Sequence, residues 1–197
     1  KFNHIVDDII NCIPLLDYKK VINVYHSYML HIVLFEPEIP QNTGNIARTC
    51  AATNTCLDLV YPLGFDISEK AVRHAGLDYW KDVTITTYKN TAEFLSMHGT
   101  DELFFFTTKA RKTYSDVKYP QDKDVYLIFG KESRGIEEEI LLQYKERCVR
   151  IPMVGETRSL NLSNSAAIAA YEYYRQNGFS DNFTLKGELH RHSWEEK

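Results

Sequence analysis

The sequence lacks the features that would place it in several large classes of protein. Its 197 residues carry a net charge of −4, so an RNA would have to be held by a local basic patch. No apolar run approaches the roughly 18 residues that a membrane-spanning helix requires. The four cysteines match no zinc or redox spacing, and we expect reduced thiols. These absences predict a cytoplasmic protein without a membrane partner or a metal.

Two common nucleotide-binding signatures are also missing. Residues 130–135 have the glycine spacing of a phosphate-binding P-loop, but Ile136 and Glu137 follow where that loop needs Lys and Ser or Thr. No G-x-G-x-x-G sequence occurs, which argues against the standard dinucleotide-binding fold. What remains is a glycine loop that can bring its backbone close to a flat ligand, or else an ordinary turn.

Short apolar runs alternate regularly with helical patterns. The predicted strands span residues 32–35, 57–61, 83–87, 103–107, 125–129 and 148–151. The predicted helices span residues 45–54, 68–75, 91–98, 136–144 and 163–177. This alternation predicts an α/β domain with a parallel-dominated, six-stranded sheet and helices on both faces. We assign residues 29–180 to this domain, residues 1–28 to an extension of unknown role, and residues 181–197 to a polar tail.

Three polar segments each follow a predicted strand and lead into a predicted helix. They are Asn42-Thr-Gly-Asn-Ile-Ala-Arg48, Phe129-Gly-Lys-Glu-Ser-Arg-Gly135 and Ile151-Pro-Met-Val-Gly-Glu-Thr-Arg-Ser-Leu-Asn-Leu-Ser-Asn-Ser165. Such segments expose backbone N–H and C=O groups beside the positive end of a helix. We expect them to form one binding site for a nucleotide-like ligand. Ser163 or Asn164 is the expected N-cap of the last helix.

The order of these motifs resembles the SPOUT class (SpoU/TrmH type) of RNA ribose 2′-O-methyltransferases. The segments Phe35-Glu-Pro-Glu-Ile-Pro-Gln-Asn-Thr-Gly44 and Ala75-Gly-Leu-Asp-Tyr79 are most similar to its TrmL (YibK-like) branch, which modifies the tRNA wobble nucleotide. The resemblance runs from about Met29 to Gly178. It implies a C-terminal trefoil knot, a homodimer, and methyl transfer from S-adenosylmethionine to the ribose of cytidine or uridine 34 in a tRNA anticodon stem-loop. S-adenosylhomocysteine would be the product, and no metal would be needed.

The resemblance also assigns catalytic roles to Arg48, Asn161 and Glu132. Arg48 should point away from the apolar face of the first helix, as a solvated arginine also would. A guanidinium holds its proton tightly, so it can serve as a base only if its surroundings shift that proton. Otherwise it would orient the ribose hydroxyl and stabilise the developing alkoxide. Glu132 is either a surface carboxylate or a partner that positions Arg48 or the RNA.

The remaining assignments concern the cofactor and the RNA. The family positions expected to bind the cofactor are Phe106, Thr107, Gly130, Gly135, Ile151, Met153, Ser159 and Leu160. The densest positive run is Lys109-Ala-Arg-Lys112, which is either a solvated loop or a contact for the RNA backbone. The predicted RNA-binding residues are Arg73, Lys109, Arg111, Lys112, Arg134 and Arg158.

Two other functions remain open. A related enzyme could act on ribosomal RNA, but such enzymes commonly carry an additional RNA-binding domain, and 28 residues are too few to form one. A non-catalytic RNA-binding protein could keep the same fold, but the presence of Arg48 and Asn161 favours an enzyme.

Overall fold

The computed structural model describes residues 28–68, 78–179, 183–191 and 193–194. The predicted helix over residues 68–75 and nearly all of the N-terminal extension lie outside these residues. The division of the chain into these three segments therefore stays a prediction.

The described residues form one parallel sheet with the strand order β3-β2-β1-β6-β4-β7-β5. Its strands are β1 Leu30–Phe35, β2 Cys56–Val60, β3 Ile85–Tyr88, β4 Glu102–Phe106, β5 Lys112–Thr113, β6 Val125–Phe129 and β7 Cys148–Arg150. All six predicted strands are present, and the α/β fold class is confirmed. The predicted number of strands was wrong, because β5 begins at Lys112, the last residue of the densest positive run, and was not predicted. Two residues are too short to show a periodic pattern.

The central strands are buried because helices cover both faces of the sheet. Every residue of β2 and of β6 is buried. On one face, Ile46 and Ala169 from two helices pack in the same apolar cluster as Leu59 and Leu127. On the other face, Phe94 packs with Phe105 and Ile128. Burial on both sides explains the continuous apolar runs of these strands.

Beside these strands, the described residues form four α-helices and three 3₁₀ turns. The helices are α1 Pro40–Thr53, α2 Thr91–His98, α3 Glu138–Gln143 and α4 Leu162–Gln176. The 3₁₀ turns are Asp78–Asp82, Tyr114–Asp116 and Lys145–Arg147. Within the described part of the chain, no helix is both long enough and apolar enough to span a membrane.

The first helix begins five residues earlier than predicted. Its first turn contains Pro40, whose fixed φ and missing N–H suit the start of a helix. Thr43 and Gly44, which precede the predicted helix start at residue 45, are therefore helical. Arg48 lies in the third turn of α1 and not in the first, as the predicted start implied.

The last helix is fixed to the first one. The Tyr174 hydroxyl lies 2.7 Å from the Thr53 carbonyl oxygen and 2.8 Å from the Thr55 hydroxyl. Small residues Ala166, Ala169 and Ala170 are buried along the inner face of α4. On its outer face, Ile168 and Tyr171 stay exposed, at 36% and 47% of their full areas. Within the described residues, this outer face of α4 is therefore exposed.

The connection between β4 and β5 spans another strand. Phe106 and Lys112 both pair with Val149, one on each side of β7, so residues 107–111 pass around that strand. The segment after β5 contacts α4. The Gln176 side chain accepts a hydrogen bond from the Tyr119 amide and donates one to the Val117 carbonyl. The arrangement suits the trefoil knot that the resemblance implies; the knot itself stays a prediction.

Three of the four cysteines lie in the described residues, and all three are free and buried. Burial raises the pKa of Cys56 to about 11, and it also raises the pKa values of Cys50 and Cys148. These thiols are packing residues, as expected of reduced cysteines. Cys12 lies outside the described residues.

Candidate functional site

A cleft of about 450 Å³ opens at the carboxyl ends of β4, β6 and β7. Ligands of parallel α/β proteins bind at this end of the sheet. The loops that follow the three strands supply most of the wall, and all the residues predicted to bind the cofactor line it: Phe106, Thr107, Gly130, Gly135, Ile151, Met153, Ser159 and Leu160. The structure thus brings the second and third motifs together, as the sequence predicted.

The two glycines of the second motif are required by the loop itself. A Cβ atom on Gly130 would lie 2.1 Å from the carbonyl carbon of Gly135 and 2.3 Å from the amide nitrogen of Ile136. Gly135 has φ of 74°, and its amide donates to the Lys131 carbonyl over 2.8 Å. The loop therefore folds back on the end of β6, and this contact explains the glycine spacing that mimics a P-loop.

Glu132 joins the second motif to the first. Its carboxylate accepts hydrogen bonds from the Glu38 amide at 2.8 Å, the Ile39 amide at 3.3 Å and the Asn42 side chain at 3.0 Å. Ile39 is the N-cap of α1 and has no side chain able to cap it. The carboxylate also lies at the positive end of the helix dipole. Glu132 is thus bonded to the segment that begins α1, and its role in positioning stays a prediction.

The neighbours of Glu132 strengthen this connection. Glu38 accepts hydrogen bonds from the Ser133 amide at 2.9 Å and the Ser133 hydroxyl at 2.8 Å, and these bonds lower the pKa of Glu38. Lys131 pairs with Glu36 at 2.5 Å, and this partner raises the pKa of Lys131. Three consecutive residues of the second motif are therefore attached to the segment between β1 and α1.

Asn161 joins the third motif to the same group. Its side-chain oxygen accepts hydrogen bonds from the Ser163 amide at 2.9 Å and the Asn164 amide at 3.3 Å. Asn161 is therefore the N-cap of α4, and the prediction of Ser163 or Asn164 was wrong. Its side-chain nitrogen donates to the Asn42 side-chain oxygen at 3.0 Å. The side chain thus both caps a helix and reaches the first motif.

Asn42 is the residue that the sequence-based assignment missed. It is only 6% exposed, lines the cleft, and bonds both Glu132 and Asn161. Its place as the first residue of the first motif was the available signal. Its burial at the meeting point of three loops became visible only in the fold.

Arg48 does not line the cleft of its own chain. It is exposed on α1, whereas Ile46, Ala47 and Cys50 of the same helix are buried, as the sequence predicted. The first motif therefore sends Asn42 into the cleft and Arg48 to the outer surface. If Arg48 takes part in chemistry at such a cleft, that cleft is not the one formed by the described residues of its own chain.

The predicted RNA-binding residues separate into two groups. Lys109 pairs with Glu138 at 2.7 Å and Lys112 with Glu146 at 2.9 Å, and each pair lowers the pKa of its carboxylate. Arg111, Arg134 and Arg158 are exposed and form no hydrogen bond or ion pair with the described residues. Arg134 and Arg158 line the cleft, as does Lys109. Arg73 lies outside the described residues.

The polar groups of the cleft suit an organic ligand. Among residues 28–68, 78–179, 183–191 and 193–194, no three His, Cys, Asp or Glu side chains are grouped to hold a metal ion. Apolar Phe106, Ile151 and Leu160 line the cleft beside polar Thr107 and Ser159. This mixture fits a flat heterocycle with hydroxyl groups, which is the nature of an adenosine.

Curated relatives match most of the chain. A tRNA (cytidine(34)-2′-O)-methyltransferase of Escherichia coli K12 is 46% identical over 152 residues, which are 77% of this chain and 96% of that protein. A Listeria innocua protein, named as a candidate for the same activity, is 49% identical over 150 residues, or 76% of this chain and 89% of its own length.

Solved structures share the fold. A Bacillus anthracis protein described as a candidate RNA methyltransferase superposes with a TM-score of 0.75 at 46% identity, covering 77% of this chain and 96% of that one. A structure described as giving insights into 2′-OH methylation of C/U34 on tRNA has a TM-score of 0.70 at 42% identity, covering 78% and 99%.

A more distant structure comes from an rRNA methyltransferase of Sinorhizobium meliloti with AdoMet bound. It has a TM-score of 0.66 at 25% identity and covers 76% of this chain and 57% of that one. The model of the SpoU rRNA Methylase family matches residues 29–171. The resemblance drawn from the three motifs is thereby confirmed, and the chain belongs to the SpoU methylase family.

Proposed function

We propose that this protein is a tRNA 2′-O-methyltransferase that transfers the methyl group of S-adenosylmethionine to the ribose of cytidine or uridine 34. The observation that carries the proposal is the cleft, into which all eight predicted cofactor residues converge beside the linked side chains of Asn42, Glu132 and Asn161. The names of the relatives at 46% and 49% identity support the choice of substrate. We expect the enzyme to act in the cytoplasm.

The residues of the cleft would hold the cofactor without a metal. S-adenosylmethionine carries its own electrophilic sulfonium methyl group, and it leaves as S-adenosylhomocysteine. Leu160 and Ile151 would contact the adenine, while backbone groups of the loops at Thr107, Gly130 and Ser159 would bind polar atoms of the ligand. The protein would supply orientation, since alignment of the two reacting atoms is a large part of such catalysis.

In this proposal Arg48 acts at the ribose hydroxyl, as a base if the bound RNA shifts the proton of the guanidinium and otherwise by stabilising the developing alkoxide. Because Arg48 lies outside the cleft of its own chain, we infer a two-fold homodimer in which it reaches the cleft of the partner protomer. The exposed faces of α1 and α4, including Ile168 and Tyr171, would form the contact between the protomers. A two-fold interface brings equivalent surfaces together, which places each Arg48 near the interface.

The deciding experiment is methyl transfer to defined RNA. The purified protein, S-adenosylmethionine labelled in its methyl group, and unmodified tRNA transcripts are incubated in EDTA, and the product is mapped by mass spectrometry. The proposal expects one 2′-O-methyl group at position 34. Absence of transfer to every tRNA, or a strict need for a divalent metal, would contradict it.

Ribosomal RNA is the alternative substrate. The match to a structure of an rRNA methyltransferase at 25% identity is the observation in its favour. Deproteinised ribosomal RNA is therefore included in the same assay. Transfer to ribosomal RNA with none to tRNA would replace the proposed substrate and leave the chemistry of the site unchanged.

A further inference from the structure

Two arginines at the cleft form no ion pair with the described residues. Arg134 comes from the loop between Gly130 and Gly135, and Arg158 from the long loop after β7. Both are exposed, and neither forms a hydrogen bond or ion pair within the described part of the chain. Arg134 contributes to the lowered pKa of Glu38, but the oxygens of that carboxylate are bonded to Ser133. Two different loops thus bring free guanidinium groups to one cleft.

The two lysines of the same cleft differ from these arginines. Lys109 is paired with Glu138, and Lys131 with Glu36. Lys109 and Lys131 are each held by a carboxylate, whereas Arg134 and Arg158 have no hydrogen-bonded carboxylate among the described residues. Their guanidinium groups therefore mark where an anionic ligand would approach the cleft.

The chemistry of the proposed substrate identifies the anion. A guanidinium presents parallel N–H donors that match two phosphate oxygens, and it keeps its charge at any physiological pH. In RNA, the carbon that bears the reacting 2′-hydroxyl is bonded to the carbon that bears the 3′-phosphodiester. The 3′-phosphate is therefore the anion nearest the reacting oxygen, and holding it restricts where that oxygen can lie.

We propose that Arg134 and Arg158 bind the phosphodiester on the 3′ side of the methylated ribose and thereby position its 2′-hydroxyl in the cleft. This inference rests on the proposed function, and it adds which group of the RNA the cleft holds. We leave Lys109 out of this contact, because its ammonium group forms an ion pair with Glu138.

The test removes the charge from either side of the contact. The RNA is an anticodon stem-loop, either unmodified or with one neutral methylphosphonate replacing the phosphate 3′ to nucleotide 34. The enzymes are the wild type and the double variant Arg134→Gln/Arg158→Gln, and kcat/KM is measured for the four combinations. A methylphosphonate two nucleotides to the 5′ side controls for general loss of charge.

We expect that the effects of the methylphosphonate and of the double variant on kcat/KM do not multiply. The 3′ methylphosphonate should lower kcat/KM of the wild type at least about tenfold, as loss of hydrogen bonds to a charged group does. In the double variant the same substitution should cost less than about twofold, because the partner is already absent. Lys109→Gln serves as the matched control, and it should keep the full tenfold sensitivity.

Four results would overturn the assignment. Multiplicative losses would show that the arginines and this phosphate act independently. Loss of S-adenosylmethionine binding in the double variant, measured by calorimetry, would show that the arginines bind the cofactor carboxylate instead. In the variant Arg134→Lys/Arg158→Lys, kcat/KM should stay sensitive to the 3′ methylphosphonate. A loss of that sensitivity would argue that the shape of the guanidinium, and not its charge, is recognised. Failure of the wild type to methylate the unmodified stem-loop would reject the proposed function, and this assignment with it.

Discussion

At the scale of single residues, Glu132 and Asn42 decide how the motifs meet. Glu132 accepts three hydrogen bonds from the segment that begins α1, and Asn42 links it to Asn161. A side chain that bonds two backbone amides at a helix start contributes to both stability and position. The two residues therefore connect the helix that carries Arg48 to the loops of the cleft.

Replacing Glu132 by Gln should weaken this connection. The amide keeps the size of the side chain, but it presents a donor toward a backbone N–H and loses the charge at the helix start. We expect a loss of about 1–2 kcal/mol in the free energy of unfolding, measured by urea denaturation, together with reduced methyl transfer. The control is Glu138→Gln, whose exposed ion pair with Lys109 should be worth less than about 1 kcal/mol. Equal stability of the two variants would contradict a positioning role.

Replacing Arg48 by Ala should separate catalysis from folding. The side chain is exposed on a helix, where Ala is a favourable residue, so the melting temperature should hardly change. We expect methyl transfer to fall at least about a hundredfold if Arg48 acts on the proton or the alkoxide. Calorimetry should show unchanged cofactor affinity, because Arg48 does not line the cleft. Thr49→Ala, on the same helix, should keep near wild-type turnover; so would Arg48→Ala if its side chain were only a solvated surface group.

At the scale of elements, the loop after β6 shows how packing limits the sequence. Gly130 has no room for a side chain because the loop returns to the end of its own strand. The strand supplies a rigid base, and the loop shapes one wall of the cleft. A substitution at Gly130 would therefore affect both the end of the strand and the wall of the cleft.

Gly130→Ala should therefore deform the cleft. The new methyl group would overlap backbone atoms of Gly135, which have no flexible end that could move away. We expect a destabilisation of about 1–3 kcal/mol and a marked loss of cofactor affinity, measured by thermal unfolding and calorimetry. Gly187→Ala is the control, since a Cβ atom at that glycine would meet nothing within 4 Å. Normal cofactor affinity in Gly130→Ala would mean that the loop does not shape the binding site.

At the scale of the whole molecule, the position of Arg48 separates the first motif from the cleft. One face of α1 is buried beside the sheet and the other is exposed. The chain on its own therefore leaves Arg48 outside the site to which the family assigns it. A second copy with its own α1 and α4 against these faces would complete the site.

We expect a homodimer with shared sites. Light scattering at micromolar protein should give twice the mass of the chain. Mixing Arg48→Ala subunits with Asn161→Ala subunits should restore part of the activity, because one of the two sites in a mixed dimer would keep both intact residues. A monomer in solution would refute the assembly. A dimer without recovery of activity would refute only the shared site.

The alternation of apolar strands and helices determined the α/β class by itself, because a strand covered on both faces must be continuously apolar. The sequence also specified β6, its glycine loop and the residues of the cleft, since each lies next to a buried run in the chain. The sequence likewise predicts that the last helix ends at Gly178, because glycine is typical just after a helix C-cap. In the structure Gly178 follows the C-cap of α4 and has φ of 78°.

Tertiary structure decided what depends on partners distant in sequence. Glu132 caps a helix more than 90 residues away, and Asn161 meets Asn42 across 119 positions, so no local pattern contains either contact. The same holds for β5, which exists only because β7 lies beside it. Lys109 and Lys112 belong to the densest positive run of the sequence, and the fold pairs them with Glu138 and Glu146. The sequence shows which residues are charged, but only the fold shows which of them form ion pairs.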